Sequence, residues 1–267
     1  MKNIFRNLFA VALLSMVIVS CTKDDKMVDP MGTTGSITIE YDNVVGDRDL
    51  KLDTDNYTNG AGESFNITTF NYYISNIKLL KADGSSYVVP RDSSYFLIRE
   101  ANAASQEVTL NNVPVGDYTG IEFMVGVDSL KSASDPAQRT GVLDVANPEV
   151  MYWAWNSGYI FLKLEGASPA STIASGKYNY HIGFFGGLTS PTLNNLKTVK
   201  VDFGGKKASV TSKLKPQVHL LADVLKIFNG STQLSIAANP SVMFTDYTKN
   251  VSGNYINMFS LDHIHAD

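Results

Sequence analysis

Phe70-Asn71-Tyr72-Tyr73-Ile74-Ser75-Asn76-Ile77-Lys78-Leu79-Leu80 is followed, after one lysine, by Ala82-Asp83-Gly84-Ser85 and then by Ser86-Tyr87-Val88-Val89. The first run is rich in β-branched and aromatic residues, the middle four supply turn chemistry, and the last four return in the style of the first. This is the pattern of a β-hairpin. The same punctuation recurs on both sides. Ser36 to Tyr41 alternates polar and apolar residues as a half-buried strand does. Runs at Tyr95–Ile98, Glu107–Leu110, Gly120–Val127, Tyr159–Glu165, Tyr178–Phe184, Lys197–Phe203 and Gln217–Leu225 are each bounded by Gly, Pro, Asn or Asp. No stretch keeps a long helical period. Ser129–Ala137 and Ala222–Phe228 read as short helices, the second equally well as the end of a strand. Many short strands separated by turn residues predict an all-β fold, an antiparallel β-sandwich with long loops and at most short helices. The connection from Val127 to Met151 has a length usually reserved for functional or mobile segments.

The first residues belong to export, not to the fold. A basic opening with Lys2 and Arg6 leads into an apolar run from Leu8 to Val19, broken only by Ser15, and ends at Ser20 and Cys21. The run is too short to span a bilayer, so residues 1–20 read as a signal peptide. Ile18-Val19-Ser20-Cys21 resembles a lipobox, which makes Cys21 the site of lipid attachment and the membrane a partner through that anchor. Thr22-Lys23-Asp24-Asp25-Lys26 resembles the surface-export signal of Bacteroidetes lipoproteins. An outer-membrane lipoprotein exposed at the cell surface is expected, with a periplasm-facing anchor as the alternative. Residues 21–35, with Pro30, Gly32 and Gly35, then form a flexible tether, and 36–267 a single domain.

Composition excludes several chemistries. Cys21 is the only cysteine, so a lipidated mature chain has no thiol for a disulfide, a thiolate metal site or cysteine catalysis. Removing residues 1–20 leaves 20 basic against 26 acidic residues, and such a balance speaks against nucleic acid. There is no Gly-x-Ser-x-Gly, and Asp42, Asp47, Asp49, Asp53 and Asp55 do not match the twelve-residue calcium loop. No catalytic residues are assigned, and the chain is not expected to be an enzyme.

Two groups of residues stand out. All four histidines lie in the last third, at His181, His219, His263 and His265. His263 and His265 flank one isoleucine, and on a strand that spacing sends both imidazoles to one face. If the strands carrying His181 and His219 converge there, three or four imidazoles form a metal site without cysteine. Both tryptophans, Trp153 and Trp155, fall in Met151-Tyr152-Trp153-Ala154-Trp155-Asn156. Large aromatics so spaced serve either as core or as a binding platform.

The chain resembles the MbnP family, copper-binding proteins found beside methanobactin genes and as lipoproteins of Bacteroidetes. The resemblance is carried by Asn43-Val44-Val45-Gly46, Phe70 to Ile77, Ile121 to Asp128, Met151 to Gly166, Tyr180-His181-Ile182-Gly183, Val218-His219-Leu220 and Asp262-His263-Ile264-His265. It implies a β-sandwich that binds copper. It also implies that in some members a tryptophan is oxidised to kynurenine by a dihaem partner of the MbnH type. Carried over, Trp153 or Trp155 is the modified side chain, His181, His263 and His265 the imidazole ligands, and His219 a weaker candidate. Imidazole must be neutral to bind a metal, so affinity is expected to fall as pH drops toward about 6. The competing reading is a non-metal surface recognition module for glycan or protein, built on Tyr152, Trp153 and Trp155.

Overall fold

Ile37, Ile39 and Tyr41 are completely buried, whereas Thr38, Glu40 and Asp42 between them are not. That period of two makes β1 (Thr34–Val45), which starts two residues before the expected domain boundary. The computed structural model describes residues 33–153, 156 and 158–266. The expected signal peptide 1–20, Cys21 with most of the expected tether, and Trp155 lie outside the described residues.

The hairpin forms as the sequence predicts. β2 (Thr69–Leu80) pairs with β3 (Ser86–Val88), Leu79 standing opposite Tyr87. Gly84 in the turn has φ +84°, a conformation that strongly favours glycine. The other principal strands are β4 (Tyr95–Arg99), β5 (Glu107–Pro114), β6 (Gly120–Val125), β7 (Tyr152–Trp153), β8 (Gly158–Ala167), β9 (Lys177–Gly183), β10 (Lys197–Asp202), β11 (Gln217–Asp223) and β12 (Phe259–His265).

They form two main sheets. In the five-stranded one, β12 pairs with β11, β11 with β1, and β1 with β5. The nine-stranded one is assembled on β2, which pairs with β3, β4, β6 and β8. There β10 extends β6, and β7 and β9 extend β8. Pairing is antiparallel except between β1 and β11 and between β9 and the short Ser241–Val242 strand. Both parallel pairs join segments far apart in sequence, where no hairpin dictates direction.

A continuous core lies between the sheets. Ile39 and Tyr41 of β1 and Val218 and Leu220 of β11 meet Tyr72 and Ile74 of β2 and Leu162 and Leu164 of β8. Aromatic edges lock the layers together: Phe259 of β12 lies 4.9 Å from Phe123 and 5.8 Å from Tyr72, centroid to centroid, and Tyr41 lies 5.7 Å from Phe123.

A second core covers the outward face of the nine-stranded sheet. Tyr73, Tyr159 and Phe161 point away from the first core and pack against Val127, Leu143 and Met151. The long Val127–Met151 connection is therefore a cover, pinned by Tyr73 Oη donating to the Val142 carbonyl and Tyr159 Oη donating to that of Leu143. Its predicted helix shrinks to α1 (Ser129–Ser132), capped by the Asp128 carboxylate accepting from the Lys131 amide, and a separate turn at Pro136–Gln138. α2 (Leu225–Phe228) follows directly on β11.

α3 (Thr248–Tyr255) carries no apolar period that a sequence scan would notice. It is held instead by polar contacts to the buried Asn195. The Asn195 amide donates to Thr248 Oγ1, and its Oδ1 accepts from Ser252 Oγ, each at 3.0 Å, while Tyr255 Oη donates to the Asn195 carbonyl.

Candidate metal centre

The polar positions of β1 and β11 form the outward face of the five-stranded sheet. Register places Glu107 of β5 opposite Glu40 of β1, Glu40 opposite His219 of β11, and His219 opposite His263 of β12. One row across four strands thus reads Glu, Glu, His, His. Beside it, Gln217 of β11 faces His265.

β12 needs an irregularity to contribute both to the core and to this row. Phe259, Leu261, His263 and His265 are all odd-numbered, and a regular strand would send all four to the same face. Pairing passes from His219 opposite His263 to Leu220 opposite Leu261, so Asp262 is an extra residue. This β-bulge reverses the parity. Phe259, Leu261 and Ile264 pack on the core, and His263 and His265 join His219 outside.

The three imidazoles are tightly grouped. His219 stacks on His263 with centroids 4.1 Å apart, and His265 stands edge-on to both at 4.9 and 4.6 Å. One ring nitrogen from each lies within 4.8 Å of the others, and His263 Nε2 is 2.9 Å from His265 Nε2. An ion with nitrogen bonds of about 2.0–2.1 Å keeps its tetrahedral ligands roughly 3.3 Å apart, inside this range.

Carboxylates hold the far side of two rings. Glu40 Oε2 is 3.0 Å from His219 Nδ1, and Asp262 Oδ2 is 2.7 Å from His263 Nδ1. A carboxylate only accepts, so each Nδ1 carries a hydrogen, which in the neutral ring leaves the lone pair on Nε2. His263 Nε2 then accepts from His265 Nε2. His219 Nε2 is buried with no hydrogen-bond partner, the one orphaned ligand atom of the group. Gln217 Nε2 donates to Glu40 at 2.8 Å and fixes that carboxylate in turn. Asp42 lies on the same face. Burial and then the charges of Asp49, Glu40 and Asp262 raise its carboxyl above the usual range, and His219 opposes them.

His181 is not part of this group. It projects from β9 on the outward side of the other sheet, where its Nε2 is 2.6 Å from Glu165 Oε1. Burial, followed by Lys163, lowers its pKa, and the bond and charge of Glu165 oppose that shift. Trp153 lies over Gly183 of the same strand and packs on Phe184 and Phe244, with centroids at 5.9 and 4.9 Å. Of the four candidate histidines the structure therefore groups three, and His219, ranked weakest from the resemblance, is the most buried of them. Sequence reading also missed Glu40 and Asp262. Glu40 is separated from the histidines by most of the chain, and only the β1–β11 pairing brings it there.

Residues 34–244 match the MbnP family model. The chain belongs to the MbnP family. No curated protein matches it. Among solved structures, MbnP from Methylosinus trichosporium superposes with a TM-score of 0.50 at 17% identity, covering 75% of this chain and 79% of that one. That likeness establishes a shared fold. Trp153, His181, His219 and Glu40 fall inside the family match, whereas Asp262, His263 and His265 lie beyond its last residue.

Proposed function

We propose that this MbnP-family protein is an exported lipoprotein, anchored through Cys21, that binds copper with His219, His263 and His265. The observation that carries the reading is one ring nitrogen from each of three imidazoles within 4.8 Å of the others, two of the rings being held at Nδ1 by carboxylates. Imidazole suits copper, and no thiolate is needed. Exposure rises from His219, whose side chain is 17% accessible, to His263 at 42%. An ion here would keep a side open to solvent, which favours capture and hand-over above sealed storage. The protein supplies binding and no catalytic step of its own. A dihaem enzyme of the MbnH type is the partner the family resemblance implies, with Trp153 or Trp155 as its substrate. Trp153 packs on the second core, on the opposite outward face from the histidines, so a kynurenine formed there would not be a ligand of this centre.

Native mass spectrometry of the mature protein titrated with copper tests the reading. One copper per chain is expected, abolished in the double variant His263→Ala/His265→Ala. Unchanged affinity in that variant would sink the assignment. A second reading, recognition of a glycan or protein, is supported by the Trp153, Phe184 and Phe244 cluster, where Phe244 is 53% exposed. Ligand binding that survives a chelator would favour it.

A further inference from the structure

We propose that the cleft between the turn at Arg91–Ser93 and the Val127–Met151 cover binds a small organic acid, its carboxylate held by Arg91 and its apolar body laid on Leu130 and Val88. The cleft contains none of the histidines and has a volume of about 990 Å³, the size of a small-molecule site. Arg91, Lys131, Gln138 and Thr140 line it, with Leu130 and Val142 among its apolar walls. A neighbouring cleft of about 460 Å³ shares Arg91 and Leu130 with it and adds Val88.

Two independent features point to the ligand, and the first is charge. The Arg91 guanidinium has neither an ion pair nor a hydrogen bond among the described residues. Lys131 Nζ already holds a carboxylate, that of Asp92 at 2.8 Å, on a side chain that is otherwise largely exposed. Arg139 lies between Gln138 and Thr140 in the chain and is buried. It donates to the Ser134 carbonyl and to Tyr152 Oη, with no carboxylate paired to it among the described residues. A buried cation without an acid leaves its field uncompensated. The nearby acids are engaged. Asp128 accepts from Tyr95 Oη, the Asn76 side chain and the Lys131 amide, and Asp135 and Asp144 accept from amides of their own turns.

The second feature is apolar exposure. Leu130 at 65% and Val88 at 58% are the two most exposed large apolar side chains among the described residues, and they come from different elements, α1 and β3, to line one cleft. Single exposed apolar residues are ordinary. A pair beside an unpaired guanidinium makes a site with two chemistries. A carboxylate fits the polar part, because a guanidinium takes it through two parallel N–H bonds.

Titration calorimetry of the mature protein without metal tests the proposal independently of the copper reading. Hexanoate is the probe, acetate supplies the head alone, and hexan-1-ol the body alone. Hexanoate is expected to bind once per chain, and the two controls at least about tenfold more weakly. Arg91→Gln should weaken hexanoate about tenfold and Leu130→Ala about threefold. Lys207→Gln removes the same charge from an exposed lysine outside the cleft and should stay within about twofold of wild type. No saturable binding of hexanoate, equal binding of hexan-1-ol, or an Arg91→Gln variant that binds as wild type overturns the proposal. So does an equal loss in Lys207→Gln, which would reduce the effect to net charge. NMR gives the location: hexanoate should shift the Gly141 amide and the Gln138 side-chain amide, and shifts confined to the histidine row refute the assignment. Thermal melting confirms that each variant is folded.

Discussion

The two outward faces of this sandwich start from the same strand chemistry and end differently. On the five-stranded sheet the outward positions stay polar, and Glu107, Glu40, His219 and His263 line up in one row across four strands. On the nine-stranded sheet the outward positions are Tyr73, Tyr159 and Phe161, and the Val127–Met151 connection folds down on them as a second core. What a strand offers on its second face decides whether a loop becomes a lid of fixed structure or the surface remains a site. If the faces are independent, damage to the covered one should change stability and leave copper affinity alone.

Phe161→Ala gives the largest expected effect. Phe161 is completely buried in the second core, and emptying such a position costs about 3–5 kcal/mol. Urea unfolding should show that loss, while copper affinity in the folded variant stays within about twofold of wild type. A parallel collapse of affinity would show that the three-histidine row depends on the cover, and the faces would have to be treated as one unit.

Gly183→Ala probes the covered face at the tryptophan. A methyl group at this position would meet the Tyr159 carbonyl oxygen and the Trp153 ring, each at 2.6 Å. The backbone oxygen cannot swing aside, so overpacking of about 1–3 kcal/mol is expected. Trp153 should shift, moving the intrinsic fluorescence, again without effect on copper. Unaltered stability and fluorescence would mean that Trp153 does not rest on β9 as described.

Legibility from sequence follows the same division. Strands with a period of two were readable because burial on one side dictates it, as in β1, and the β2–β3 hairpin was readable from β-branched and aromatic runs on either side of turn residues. The helix α3 was not, since Thr248, Ser252 and Tyr255 are held by Asn195 through hydrogen bonds that leave no apolar stripe. For the site, His263 and His265 announced themselves by spacing. Selecting His219 over His181 required knowing which outward face each strand turns to solvent, and tertiary pairing decides that. The bulge at Asp262 was equally hidden, because a parity switch is visible only once Leu220 is seen opposite Leu261.

Glu100 lies at the seam of the two layers and should give the smallest effect. It accepts from the Asn43 amide at 3.0 Å, and Asn43 in turn accepts from Tyr72 of β2. Burial, then the charges of Asp49 and Asp42, push its carboxyl up from 4.5 to about 7, against the bonds from Asn43 and Gln106. The folded state thus holds this proton more tightly than the unfolded chain. Its contribution is fully present below about pH 4.5 and is lost as pH rises to about 7. Glu100→Gln keeps an acceptor for Asn43 and removes the ionisation, so Tm should rise by a few degrees at pH 8 and hardly change at pH 4. If the slope of Tm between pH 5 and 8 persists in the variant, the titration belongs to the acids of the open face. That face would then be the one that sets the pH response of the whole fold, and the independence of the two faces would fail in the direction opposite to the one Phe161→Ala tests.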